Sequence, residues 1–184
     1  MKIVKYPHPA LRSAVAPVTM IDKDVQLAAG EMLELMYKND GLGLAATQVA
    51  LGFQLLVMNF EGDPEQKEAE FVAINPVIVE SKGAAINDRE GCLSFPGLYQ
   101  NVRRAKMVKV QAYNLKGELY EMTCTDLPAR VWQHEIDHLN GVLFIDKMGP
   151  FGRDASRRDL EKFIADFAQA KKKGEYPSDL EQRL

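Results

Sequence analysis

His134 and His138 stand four residues apart, with Glu135 beside the first, in the run Q-H-E-I-D-H-L-N-G at 133–141. That spacing puts two imidazoles on one face of a helix, close enough to share an ion. It constrains the fold more than any other feature. Two imidazoles alone do not hold a catalytic divalent ion, so a further ligand has to be brought to this helix. Catalytic divalent-metal sites take three protein ligands and keep one position open. A glutamate beside the first histidine points toward that open position, where it can take a proton from water. From residue frequencies, H-E-x-x-H arises by chance in on the order of one unrelated chain of this size in a few hundred. Only one of the three histidines lies outside the motif, which argues against two surface imidazoles.

The third ligand is not given by the helix itself. If the pattern ran on to a third histidine after Gly141, that position would be 144, and Phe144 stands there. The downstream acids Asp146, Asp154 and Glu161 are open as ligands, as in an H-E-x-x-H-type metalloprotease. Upstream, Cys92 sits in E-G-C-L-S-F-P-G, between Gly91 and a Pro-Gly turn. Cys124 alternates with Met122 in a strand-like run and reads as a small buried apolar residue. A closed structural site of Cys92, Cys124, His134 and His138 is a third arrangement, but it leaves Glu135 without a role.

The chain around the motif reads as one domain, 1–184, of α+β type, with antiparallel strands packed around the central metal-binding helix. Residues 24–38 place Val25, Ala28, Met32, Leu35 and Met36 at helical spacing, and N-D-G stops the helix. L-L-V-M-N, F-V-A-I-N-P and V-I-V-E read as separate short strands, and Gly62 to Ala69 as a surface excursion. Residues 106–113 alternate as a half-buried strand, turned by L-K-G at 115–117 into L-Y-E-M-T-C. Asp126 is expected to cap the motif helix, which runs to Asn140 and stops at Gly141. A last helix over about 155–172 sets Leu160, Phe163, Ile164 and Phe167 on one stripe, and 174–184 reads as a loose tail. Net charge −3 gives no drive toward nucleic acid or membrane. No run approaches the ~18 apolar residues of a membrane span, and no targeting segment is evident, so a cytoplasmic protein is expected. Two cysteines suit a reducing compartment.

G-L-G-L-A-A-T-Q at 41–48, E-G-C-L-S at 90–94 and Q-H-E-I-D-H-L-N-G at 133–141 occur in that order. Together with the opening Y-P-H-P-A-L-R they resemble the signature motifs of the peptide deformylases, over residues 1 to about 148. The resemblance implies a hydrolase that releases formate from the N-terminal formylmethionine of new polypeptides. It makes Cys92 the third ligand beside His134 and His138, and Glu135 the general base and acid. The Gln48 side-chain amide and the Leu93 backbone N–H become oxyanion donors. Leu42, Gly43 and Gly91 are expected to bind an extended peptide, and Leu127, Arg130 and Val131 to wall the methionine pocket. There the Arg130 stem would line the wall while its guanidinium reaches water. Glu90 is expected to pair with Arg104, and Asp137 to orient a ligand histidine. The chain departs from the family at Thr47, where proline or asparagine is usual, with a small effect expected on the aim of Gln48. The resemblance favours Fe2+, with Zn2+, Ni2+ and Co2+ fitting the same ligands. It also raises ribosome contact through the C-terminal helix and its K-K-K-G end.

Overall fold

The computed structural model describes residues 1–175. Five strands form one antiparallel sheet in chain order: β1 (Gly43–Ala45), β2 (Leu55–Asn59), β3 (Glu70–Gly91), β4 (Tyr99–Tyr113) and β5 (Leu119–Thr125). Three helices accompany it: α1 (Lys23–Lys38), α2 (Asp126–Leu139) and α3 (Pro150–Lys172). Apolar side chains of β2, β4 and β5 pack with Val25, Met32 and Met36 of α1 and with Trp132 and Ile136 of α2 in the main core. The motif helix α2 is thus enclosed by the sheet. A second apolar cluster joins the N-terminal segment to Phe95, Phe144 and Met148, with Leu160 and Phe163 of α3 packed onto it.

F-V-A-I-N-P and V-I-V-E are one strand rather than two. β3 absorbs Pro76 in an irregularity between Ile74 and Val77, with Asn75 at φ +51°. A bulge is where a strand tolerates a residue that cannot donate to the ladder. β4 likewise begins at Tyr99, seven residues before the alternating run, so E-G-C-L-S lies at the turn between the two longest strands. Thr125, not Asp126, occupies the N-cap position of α2; Asp126 has φ +56° and lies within the helix. α1 begins at Lys23, where Asp22 Oδ1 accepts the Val25 N–H at 3.0 Å. α3 starts at Pro150, whose fixed φ suits a first helical residue. Leu160, Phe163 and Phe167 are partly buried along it, but Ile164 is exposed and Ser156 is buried instead. Most of the tail expected at 174–184 lies outside the described residues.

Gly141 ends α2 at φ +68°, and a Cβ there would stand 2.5 Å from the Arg12 carbonyl oxygen. Arg12 holds Asp146 through both guanidinium nitrogens, fixing the opening segment against the turn after α2. Gly141→Ala is expected to cost about 1–3 kcal/mol, read as a fall in Tm. Gly141→Asn should be no milder, although asparagine tolerates that φ, because the carbonyl contact remains. A milder asparagine variant would assign the cost to backbone conformation alone.

Candidate metal centre

α2 carries His134 and His138 into the interior, both buried, with ring centroids 4.9 Å apart. The turn after β3 delivers Cys92 to the same point. The candidate ligand atoms of Cys92, His134 and His138 all lie within 4.8 Å of one another, and this is the one such group among the described residues. Cys92 Sγ lies 3.3 Å from His138 Nε2. Cys124 is not in the group; it is buried in the main core on β5. Asp146 is taken up by Arg12 and the Leu143 N–H, and Asp154 by Arg157 on the surface. A thiolate and two imidazoles converging in this way fit a divalent ion of the zinc, iron, cobalt or nickel kind. Glu135 supports the same fit: its buried Oε2 has no protein hydrogen-bond partner.

The two imidazoles are held differently. His134 donates from Nδ1 to Glu90 Oε2 at 3.0 Å, leaving Nε2 for an ion, whereas His138 Nδ1 is buried with no protein partner. Burial lowers the His134 pKa, but Cys92 and the Glu90 carboxylate outweigh it and raise the group well above the usual imidazole value. Burial, with His134 and Arg104 nearby, drives His138 well below it, which keeps that ring neutral. Burial also pushes the Glu135 carboxyl up to about 7, with Glu90 adding to the effect and His134 and Arg104 opposing it. A carboxyl poised near neutrality can both accept and return a proton.

Glu90 is the hub beneath the ligands. Arg104 grips it with Nε and Nη2 at 2.8 and 3.0 Å, and Arg130 donates Nη1 to it at 2.7 Å. Burial raises the carboxyl pKa, but bonds from His134 and Arg104 overcome this and hold it far below the carboxylate range. The expected Glu90–Arg104 pair is therefore present, and buried. Two expectations are corrected. The Asp137 carboxylate does not orient a ligand histidine; it accepts from Arg104 and lies 3.4 Å from Lys147. The Arg130 guanidinium is turned inward rather than out to solvent: it also donates to the carbonyls of Ile86 and Val102 at 2.9 Å, and the residue is buried.

Gln48 is buried in a 3₁₀ turn after β1, not on the surface. Its Oε1 accepts the Ala45 N–H at 2.8 Å, so Nε2 faces Cys92 Sγ at 3.5 Å and Ser94 Oγ at 3.4 Å. Thr47 donates to the His138 carbonyl at 3.2 Å and so ties this turn to α2, a contact its sequence context does not announce. Lys5, also unforeseen, donates to the Leu93 carbonyl at 2.7 Å. β1 passes directly over the acid: a Cβ on Gly43 would stand 2.6 Å from Glu135 Oε1. Leu42, Gly43, Gly91, Leu93, Leu127, Arg130 and Val131 all border one cavity of about 510 Å³ that contains Cys92, His134 and Glu135.

The family model for polypeptide deformylases matches residues 1–154. The chain is 42% identical to peptide deformylase 1B, chloroplastic/mitochondrial, of Arabidopsis thaliana over 88% of its own length and 59% of that protein's. It is also 42% identical to a peptide deformylase of Alkalilimnicola ehrlichii, over 89% of this chain and 90% of that one. Thus it spans less than two thirds of the plant relatives and nearly all of the bacterial one. A Plasmodium falciparum peptide deformylase crystal structure superposes with TM-score 0.88 at 38% identity, covering 91% of this chain and 98% of that one. The inhibitor complex of Arabidopsis thaliana peptide deformylase 1B gives 0.88 at 40% identity, covering 95% and 94%. With the ligand cluster in place and the match extending from residue 1 through the motif helix, this chain belongs to the peptide deformylase family.

Proposed function

We propose that the chain hydrolyses the formyl group from the N-terminal formylmethionine of new polypeptides, releasing formate. The observation that carries the reading is the convergence of Cys92, His134 and His138 beside a cavity that Cys92, His134 and Glu135 line, with Glu135 Oε2 lacking a protein partner. A divalent ion held by those three residues would polarise the formyl carbonyl and acidify water at its open position. Iron(II) is the ion we propose, with zinc, nickel and cobalt compatible with the donors. Glu135 takes the proton of the attacking water and returns it to the departing amine nitrogen. Gln48 Nε2–H and the Leu93 N–H donate to the formyl oxygen as negative charge builds on it.

β1 is an edge strand, so a substrate chain can add to it between Leu42, Gly43 and the Gly91 backbone. The methionine side chain then lies against Leu127, Val131 and the stem of Arg130. We assign the whole of 1–184 to one catalytic unit working in the cytoplasm. The free thiols of Cys92 and Cys124 suit a reducing compartment, and no helix among the described residues is long and apolar enough to cross a membrane. Contact with ribosomal RNA is proposed for the Lys171–Lys173 end of α3, whose Leu160 and Phe163 are taken up by the second core.

Formate release from formyl-Met-Ala-Ser by anaerobically iron-loaded protein tests the reading. Release of formate without cleavage of unformylated Met-Ala-Ser is expected. Cleavage of the unformylated peptide would favour a metalloprotease, and inertness with all four metals would rule out formyl hydrolysis.

A further inference from the structure

Arg89 borders the site cavity, and the proposed chemistry gives it nothing to do. Its guanidinium lies over the Tyr99 ring, 4.7 Å from the centroid. That ring in turn lies so close to Gly91 that a Cβ there would be 2.4 Å away. The β3–β4 register pairs Gly91 with Tyr99, Arg89 with Asn101, and Asn87 with Arg103. Alternate residues of a strand share a face, so these six form one surface leading away from the site. Its far end opens on a second cleft of about 730 Å³ against the start of α3, also lined by Lys147, whose ammonium lies 3.4 Å from Asp137.

The neighbouring acids do not neutralise this strip. Asp88 occupies the opposite face of β3, Glu90 is buried beneath the ligands, and Asp137 is engaged by Arg104 and Lys147. Asp40 borders the site cavity, as Lys5 does. Among the described residues neither Arg89 nor Arg103 has a salt-bridge partner, and both are exposed. Stacking on Tyr99 holds the Arg89 fork in place before any ligand arrives, which reduces the entropy lost on pairing.

We propose that this strip reads the charge of the substrate chain beyond its formylmethionine and favours acidic residues there. The proposal rests on the formyl-peptide reading of the site. Arg89 meets the first carboxylate near the site mouth. Arg103 lies one strand repeat further out, about 7 Å, so carboxylates at alternate positions of an extended chain reach both.

The test compares formyl-Met-Ala-Ser extended by Asp-Ser-Asp, Ser-Ser-Ser or Lys-Ser-Lys. At low salt the acidic peptide should exceed the basic one in kcat/KM by about three- to tenfold, carried in KM, the size expected of one or two exposed ion pairs. The ratio should fall toward one in roughly 0.5 M salt, shrink in Arg89→Gln and in Arg103→Gln, and invert in the Arg89→Glu/Arg103→Glu double variant. Equal values for the acidic and basic peptides, or a preference for lysine, would overturn it. If no peptide is deformylated, the hydrolase reading fails on its own. Fluorescence anisotropy of labelled, unformylated Met-Ala-Ser-Asp-Ser-Asp and its lysine counterpart then decides the strip: tighter acidic binding upholds it, and equal binding refutes it.

Discussion

Glu135→Ala is expected to lower kcat/KM for formyl-Met-Ala-Ser by about 10²–10⁴-fold, or about 3–5 kcal/mol of barrier, with metal content unchanged. Glu135 is outside the ligand cluster, so the donors Cys92, His134 and His138 survive its removal. It is also buried under Gly43, with one oxygen lacking any protein partner and its carboxyl held near neutrality. Glu135→Gln separates proton transfer from packing, since it keeps the shape and cannot take the proton. It should be about as inactive as alanine. A glutamine variant close to wild type would reduce Glu135 to a space-filler, and the mechanism would need another base.

Glu90→Gln should be the most damaging substitution for the folded state. The carboxylate lies between Arg104, Arg130 and His134, and its side chain is only 5% exposed. Removing one partner from a buried ionic cluster leaves the others uncompensated, which costs about 3–5 kcal/mol. At about 2–4 °C per kcal/mol for a domain of this size, Tm should drop by about 6–20 °C. Metal affinity should fall by about 10–100-fold, since His134 loses the acceptor that orients it. pH provides an independent check. The folded Glu90 carboxyl is held below its ordinary value, so its stabilisation is present above an unfolded pKa of about 4.3 and lost as pH falls toward the folded value. The wild type should therefore lose stability more steeply below about pH 4 than Glu90→Gln does. Parallel slopes would show that Glu90 is not ionised in this cluster.

The sequence disclosed what is local and hid what depends on register. His134, Glu135 and His138 are spaced by the helix that holds them, so their convergence could be read directly. Cys92 was legible only through the residues around it; the spacing alone left Asp146, Asp154 and Glu161 open, and the structure commits Asp146 and Asp154 to other partners. The Glu90–Arg104 pair came with the resemblance, but Glu90 as a hub was not legible, because Arg130 and His134 lie 40 and 44 residues away and meet it only once β3 and α2 are packed. The same packing turns Arg130 inward from the solvent it was expected to reach, because the Ile86 and Val102 carbonyls and Glu90 surround its guanidinium. β3 reads as two short strands in the sequence, and the irregularity between Ile74 and Val77 that carries it through Pro76 is a tertiary choice. Ile164 looked like part of an apolar stripe, yet α3 rolls so that Leu160 and Phe163 face the core and Ile164 does not.

Cys92 completes the site begun by the motif helix, and the proposed chemistry stands on that ligand. Anaerobic cobalt(II) titration of the wild type, Cys92→Ser and Cys124→Ser, followed by thiolate-to-cobalt charge-transfer absorption, tests that directly. One equivalent with the charge-transfer band is expected for wild type and Cys124→Ser, and loss of both band and tight binding for Cys92→Ser. A Cys92→Ser protein that still binds a full equivalent tightly would contradict the assignment of the third ligand.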